Sequence, residues 1–141
     1  MGAYEEAMAY ALRLLGARAQ SERRLREKLA ARFPEEAVER VLERLKAMGY
    51  LDDQAFARSF VETHRKYGPL KLKALLRARG VPEEVAEEAV GEASVEDALR
   101  VLRRYPHRRD KAKAVRFLQG RGFPLGVALE AYRLALEEEK G

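Results

Sequence analysis

An apolar residue followed by proline stands at three places in this chain: Phe33-Pro34, Val81-Pro82 and Phe123-Pro124. Proline lacks a backbone donor and cannot sit inside a helix, but it is well placed at a helix start. Pro34 and Pro82 are each followed by Glu-Glu, and acids in a first turn meet the positive end of the helix dipole. Upstream of each proline runs a basic amphipathic segment. It carries Leu25 and Leu29 in the first case, Leu72 and Leu76 in the second, and Ala114 and Leu118 in the third. Gly80 and Gly122 follow the second and third segments, where a helix ends most easily in the left-handed conformation. The first segment lacks that glycine and runs from Arg32 directly into Phe33.

A helix before and a helix after complete each unit. The preceding helices begin near Ala3, Asp53 and Val95, and the following ones near Glu35, Glu83 and Leu125. Ser21, Asp52 and Ser94 are natural N-caps, and Ser94 with Asp97 reads as a capping box. Val38, Val41, Leu42 and Leu45 recur at helical spacing and predict a buried stripe. The composition agrees: Ala, Leu, Glu, Arg and Lys make up 89 of 141 residues, whereas Val and Thr together number 11 and Ile is absent. The expected fold is all-α: about nine helices in three tandem three-helix repeats, dividing at residues 1–48, 49–93 and 94–141. The prolines are 48 and then 42 residues apart, a loose period, and repeats that pack on their neighbours build an elongated, curved body.

The net charge of +5 is unevenly laid out. One basic block comprises Arg65, Lys66, Lys71, Lys73, Arg77 and Arg79. A second runs from Arg100 through Arg103, Arg104, Arg108, Arg109, Lys111, Lys113 and Arg116 to Arg121, interrupted only by Asp110. An acidic stretch from Glu83 to Asp97 lies between them. Blocks of this kind favour a polyanion or an acidic protein face as partner.

Chemistry is harder to find. The chain has no Cys and two His, His64 and His107, too few for a histidine metal site. Gly120, Gly122 and Gly126 form no phosphate loop, and Ser21, Ser59 and Ser94 sit in no nucleophile elbow. Asp52-Asp53 reads as a helix start rather than a metal pair. Tyr67 and Tyr105 each stand beside basic residues, as a stacking or partner contact requires. The expectation is therefore a binding protein, with neither catalysis nor cofactor nor metal. The apolar runs are too short to cross a bilayer. Glu5 and Glu6 sit where a signal peptide would be apolar, which together with the absence of Cys points to the cytoplasm. The charged composition leans toward a monomer.

The middle of the chain carries a family pattern. Gly49-Tyr50-Leu51-Asp52-Asp53, then Phe56-Ala57, Phe60-Val61, Gly68-Pro69 and Leu72 follow one another. This series resembles the RecX family, regulators of the RecA recombinase. Ser21, Leu25, Lys28, Leu29, Phe33, Glu36, Val41, Leu42 and Leu45 are similar to that family's first repeat, and Arg116-Phe117-Leu118 with Arg121-Gly122-Phe123 to its last. The resemblance implies three three-helix repeats that bind the RecA–DNA filament along its groove. It also implies inhibition of recombinase ATP hydrolysis and strand exchange, in homologous recombination and DNA repair, with weak binding to single-stranded DNA. The residues expected to carry the attraction are Lys71, Lys73, Arg77, Arg104, Arg108, Arg109, Lys113 and Arg116. The alternative is a DNA-binding helical protein without sequence preference: no Asn and three Gln leave little to read base edges with. A competing structural role for the arginines is pairing with the acidic stretch at 83–97.

Overall fold

The computed structural model describes residues 2–140, and among them nine helices and no strand. They are α1 (Ala3–Ala17), α2 (Glu22–Ala30), α3 (Glu35–Ala47), α4 (Asp53–Thr63), α5 (Pro69–Ala78), α6 (Glu83–Val90), α7 (Val95–Leu102), α8 (Lys111–Gly120) and α9 (Leu125–Lys140). The expected caps are in place. The Ser21 side chain accepts from the Arg24 amide, Asp52 from those of Gln54 and Ala55, and Ser94 from that of Asp97. Pro34 and Pro82 stand one position earlier than the first helical turn, as extended N-cap residues that aim the chain into α3 and α6.

Each successive triplet of helices closes on its own core. The first buries Leu25, Leu29, Val38, Val41, Leu42 and Leu45 with Ala7 and Ala11, and Leu51 joins it from beyond α3. The second is smaller, built on Ala57, Phe60, Leu72, Leu76, Val81 and Ala86. The third buries Leu99, Leu102, Leu118 and Phe123 against three alanines of α9, Ala128, Ala131 and Ala135. The principal helix–helix packing falls within these triplets. The body is elongated, three cores in series rather than one.

The junctions follow a single rule: the N-terminus of one middle helix abuts the C-terminus of the next. At the first junction the Ser21 hydroxyl donates to the Arg79 carbonyl, and the Arg24 guanidinium donates to that of Ala78 at 2.9 Å. At the second, the Gly68 amide donates to Arg121 O at 2.7 Å and the Leu70 amide to Gly122 O at 3.0 Å. Helices α2, α5 and α8 thus join head to tail. At the second junction, backbone donors orphaned at a helix start meet carbonyls at another helix end; at the first, side chains of the helix start reach those carbonyls instead, and at both the dipoles align favourably. Gly80 and Gly122 make both meetings possible. Their φ angles of +87° and +99° turn the chain out of α5 and α8, and their missing side chains leave room for Arg23 and Lys71.

A second contact holds the first junction. The Glu22 amide donates to Asp53 Oδ1 at 2.9 Å, while Lys46 Nζ lies 2.6 Å from the Glu22 carboxylate. Burial pushes the Asp53 carboxyl above its ordinary range, the Glu22 amide opposes this, and the charges of Glu22 and Asp52 reinforce it. A carboxyl raised in the folded state holds its proton more tightly there than in the unfolded chain. Stability therefore falls as pH rises from the unfolded value of about 3.9 through the raised folded value. Asp53→Asn keeps the acceptor and removes the charge. The variant is expected to show a higher urea midpoint than the parent at pH 7, and a difference that closes at about pH 3, where both side chains are neutral.

Candidate functional site

A cleft of about 500 Å³ opens where the second and third triplets meet. Arg65 and Lys66 reach it from the connection between α4 and α5, and Arg100, Val101 and Arg104 from α7 and its end. Tyr105 and Pro106 follow α7, while Phe117 and the C-cap residue Arg121 come from α8. Five cations line it, and no acid does.

Its floor is aromatic. The Tyr105 and Phe117 rings stack at 4.1 Å with an interplanar angle of 4°. The Arg121 guanidinium lies 5.0 Å from the Phe117 centroid, and the His107 ring meets Tyr105 edge-on at 5.6 Å. Arg121, Phe117, Tyr105 and His107 thus form one continuous column. Stacking and cation–π contacts hold a guanidinium in place while leaving its edge donors free for an anion. The rim is braced more lightly. Arg100 pairs with Asp97 at 2.8 Å and donates to the Arg65 carbonyl at 3.3 Å across the junction, and Arg65 pairs with Glu62 at 3.4 Å. Among the described residues no ion pair engages Lys66, Arg104 or Arg121. Low-dielectric walls and one sign of charge concentrate positive potential in such a cleft.

Of the eight residues named from the sequence, Arg104 lines this cleft. Lys71 lies at its edge of the junction, its backbone against Gly122 and its ammonium 4.6 Å from the Tyr67 ring. Lys73 is half-buried, and Lys113 and Arg116 are exposed on α8. Arg77 lies at the other junction, in an opening of mixed charge with Glu22, Arg23, Arg26, Asp53 and Glu83, and pairs with Glu83 at 3.6 Å. Arg108 and Arg109 both pair with Glu139, at 2.7 Å in the case of Arg108. The acidic stretch at 83–97 therefore takes few of the arginines; the end of α9 takes more. The other four cations of the cleft, Arg65, Lys66, Arg100 and Arg121, lie outside the set expected from the sequence. All four stand in the basic blocks, in segments flanking the glycines and turns that the repeat brings together.

The chain is similar to known proteins along most of its length. Residues 7–45 match the family described as RecX, first three-helix domain, and residues 52–90 match RecX, second three-helix domain. A Regulatory protein RecX of Thermus thermophilus is 69% identical over 137 residues, 96% of either chain. That of Deinococcus radiodurans is 38% identical over 143 residues, covering 94% of this chain and 70% of its own. Among solved structures, RecX from Lactobacillus salivarius superposes with a TM-score of 0.85 at 20% identity, over 96% of this chain and 97% of that one, a likeness of fold.

Proposed function

The chain belongs to the RecX family of regulatory proteins, and we propose that it binds the RecA–DNA filament and restrains the recombinase's ATP hydrolysis and strand exchange. The observation that carries this reading is the cleft: five cations over an aromatic floor, at a junction between helical units, with no carboxylate lining it. A surface of this kind recognises an extended anionic target. Regulation then needs no covalent step. A protein that binds one filament state more tightly than another shifts the population toward it by the difference in affinity. The units at 1–48, 49–93 and 94–141 act as successive docking elements in this reading, with the cleft between the last two as the principal contact.

A second reading, a DNA-binding protein without sequence preference, is favoured by the aromatic column beside the arginines, which suits single-stranded nucleic acid. Recombinase ATPase on single-stranded DNA separates the two. Inhibition at amounts well below one chain per recombinase protomer, too few to sequester the DNA, is the expected result. Inhibition that appears only as the DNA is titrated away supports the plain DNA binder instead.

A further inference from the structure

The end of α9 breaks a helix rule. Glu137, Glu138 and Glu139 are the only run of three acids in the sequence, and they stand in a last turn, where negative charge meets the negative end of the dipole. Their partners explain the placement. Glu138 takes the Arg103 guanidinium in a forked contact, 2.8 Å at the closer oxygen. Glu139 takes both Arg108 and Arg109. None of the three lines the cleft itself, but each lies one to four residues along the chain from a lining residue: Arg103 precedes Arg104, and Arg108, beside Arg109, donates to the carbonyl of the lining residue Tyr105 at 3.3 Å.

We propose that Arg103, Arg108 and Arg109 are a latent extension of the cleft, a site for the phosphodiester backbone of single-stranded nucleic acid that Glu138 and Glu139 hold masked. The proposal rests on reading the cleft as a polyanion site. Two features make the mask removable. The last carbonyls of any helix lack intrahelical partners, so the end frays readily. The buried anchors of α9 stop at Ala135, before the acids begin. The mask also selects. A carboxylate on a partner protein competes against carboxylates already held at high effective concentration and gains nothing over them. A phosphodiester strand brings a row of charges and releases condensed counterions as each is neutralised, which isolated carboxylates do not do.

The test uses the full chain and a fluorescein-labelled 20-mer of thymidine, followed by anisotropy over a salt series. Glu138→Gln with Glu139→Gln is expected to bind at least about tenfold tighter than the parent at low salt. Its log–log salt slope steepens by up to about two, as three freed cations require at roughly 0.7 per single-strand phosphate. Arg103→Gln with Arg108→Gln is expected to change the parent's affinity less than about twofold, yet to remove most of the gain in the glutamine background, a strongly non-additive cycle. Glu87→Gln with Glu88→Gln makes the same net-charge change on α6 and is expected to shift affinity less than about twofold. Equal gains from the two glutamine pairs, or an additive effect of the Arg103 and Arg108 changes, overturn the mask. An equal rise in affinity for polyglutamate overturns the assignment to phosphodiester. If Arg104→Glu abolishes binding while the Glu138/Glu139 variant gains nothing, the cleft stands and the masked extension falls.

Discussion

Replacing Gly122 with valine is expected to cost about 3 kcal/mol of stability and to loosen the third unit from the second. Three effects add. The residue sits at φ +99°, which a β-branched side chain adopts only under strain. An added Cβ would stand 2.5 Å from both the amide nitrogen and the Cβ of Lys71, and a backbone amide cannot swing aside as the tip of a side chain can. Relief of that clash breaks the bond from the Leu70 amide to the Gly122 carbonyl and pulls on Phe123, which is 1% exposed and fills the third core. Urea unfolding followed by circular dichroism measures the loss. Gly126→Ala is the matched control. A Cβ there meets nothing within 4 Å, so alanine in the first turn of α9 is expected to be neutral or to stabilise by about 0.5 kcal/mol. Equal, small effects at the two glycines would mean that the junction is not closely packed.

Reversing two charges in the cleft, Arg65→Glu with Arg104→Glu, is expected to weaken binding to RecA–DNA filaments by at least about a hundredfold at physiological salt. Five cations become three cations and two acids, so the lining falls from strongly attractive to nearly neutral. Both arginines are exposed, and the single ion pair lost is Arg65 with Glu62, so the unfolding midpoint is expected to stay close to the parent's. Lys73→Glu with Arg77→Glu makes the same change in net charge outside the cleft and is expected to weaken binding less than about threefold. Comparable losses from the two pairs would assign the attraction to net charge rather than to the cleft.

The helices and their ends were legible because local chemistry writes them. Ser21, Asp52 and Ser94 cap where their side chains suit capping, Gly80 and Gly122 turn where only glycine turns cheaply, and the leucine spacing marks the buried faces. The junctions were not legible. Nothing in a single helix says that its N-terminus will meet another helix's C-terminus, as α5 meets α8 through Gly68 and Arg121. The site suffered for the same reason. Arg104 and Arg108 look alike in sequence, four residues apart in one basic block. One lines a cleft with Arg65, far back along the chain, and the other is taken up by Glu139 on α9. Which cation is free and which is spent is decided by tertiary partners far along the chain, and helical periodicity carries no mark of them. The aromatic column is similar: Tyr105 stands out in the sequence beside its basic neighbours, but its stacking on Phe117 depends on how α7 and α8 cross.

Hydrogen–deuterium exchange of the chain, free and bound to RecA–DNA filaments, reads out whether the cleft is the docking surface. Binding is expected to slow exchange most in the segments that build the cleft, at residues 65–71, 100–106 and 117–122, with α1 and α3 little changed. Protection confined to the first unit, with those three segments exchanging as they do in the free chain, would contradict that role for the cleft.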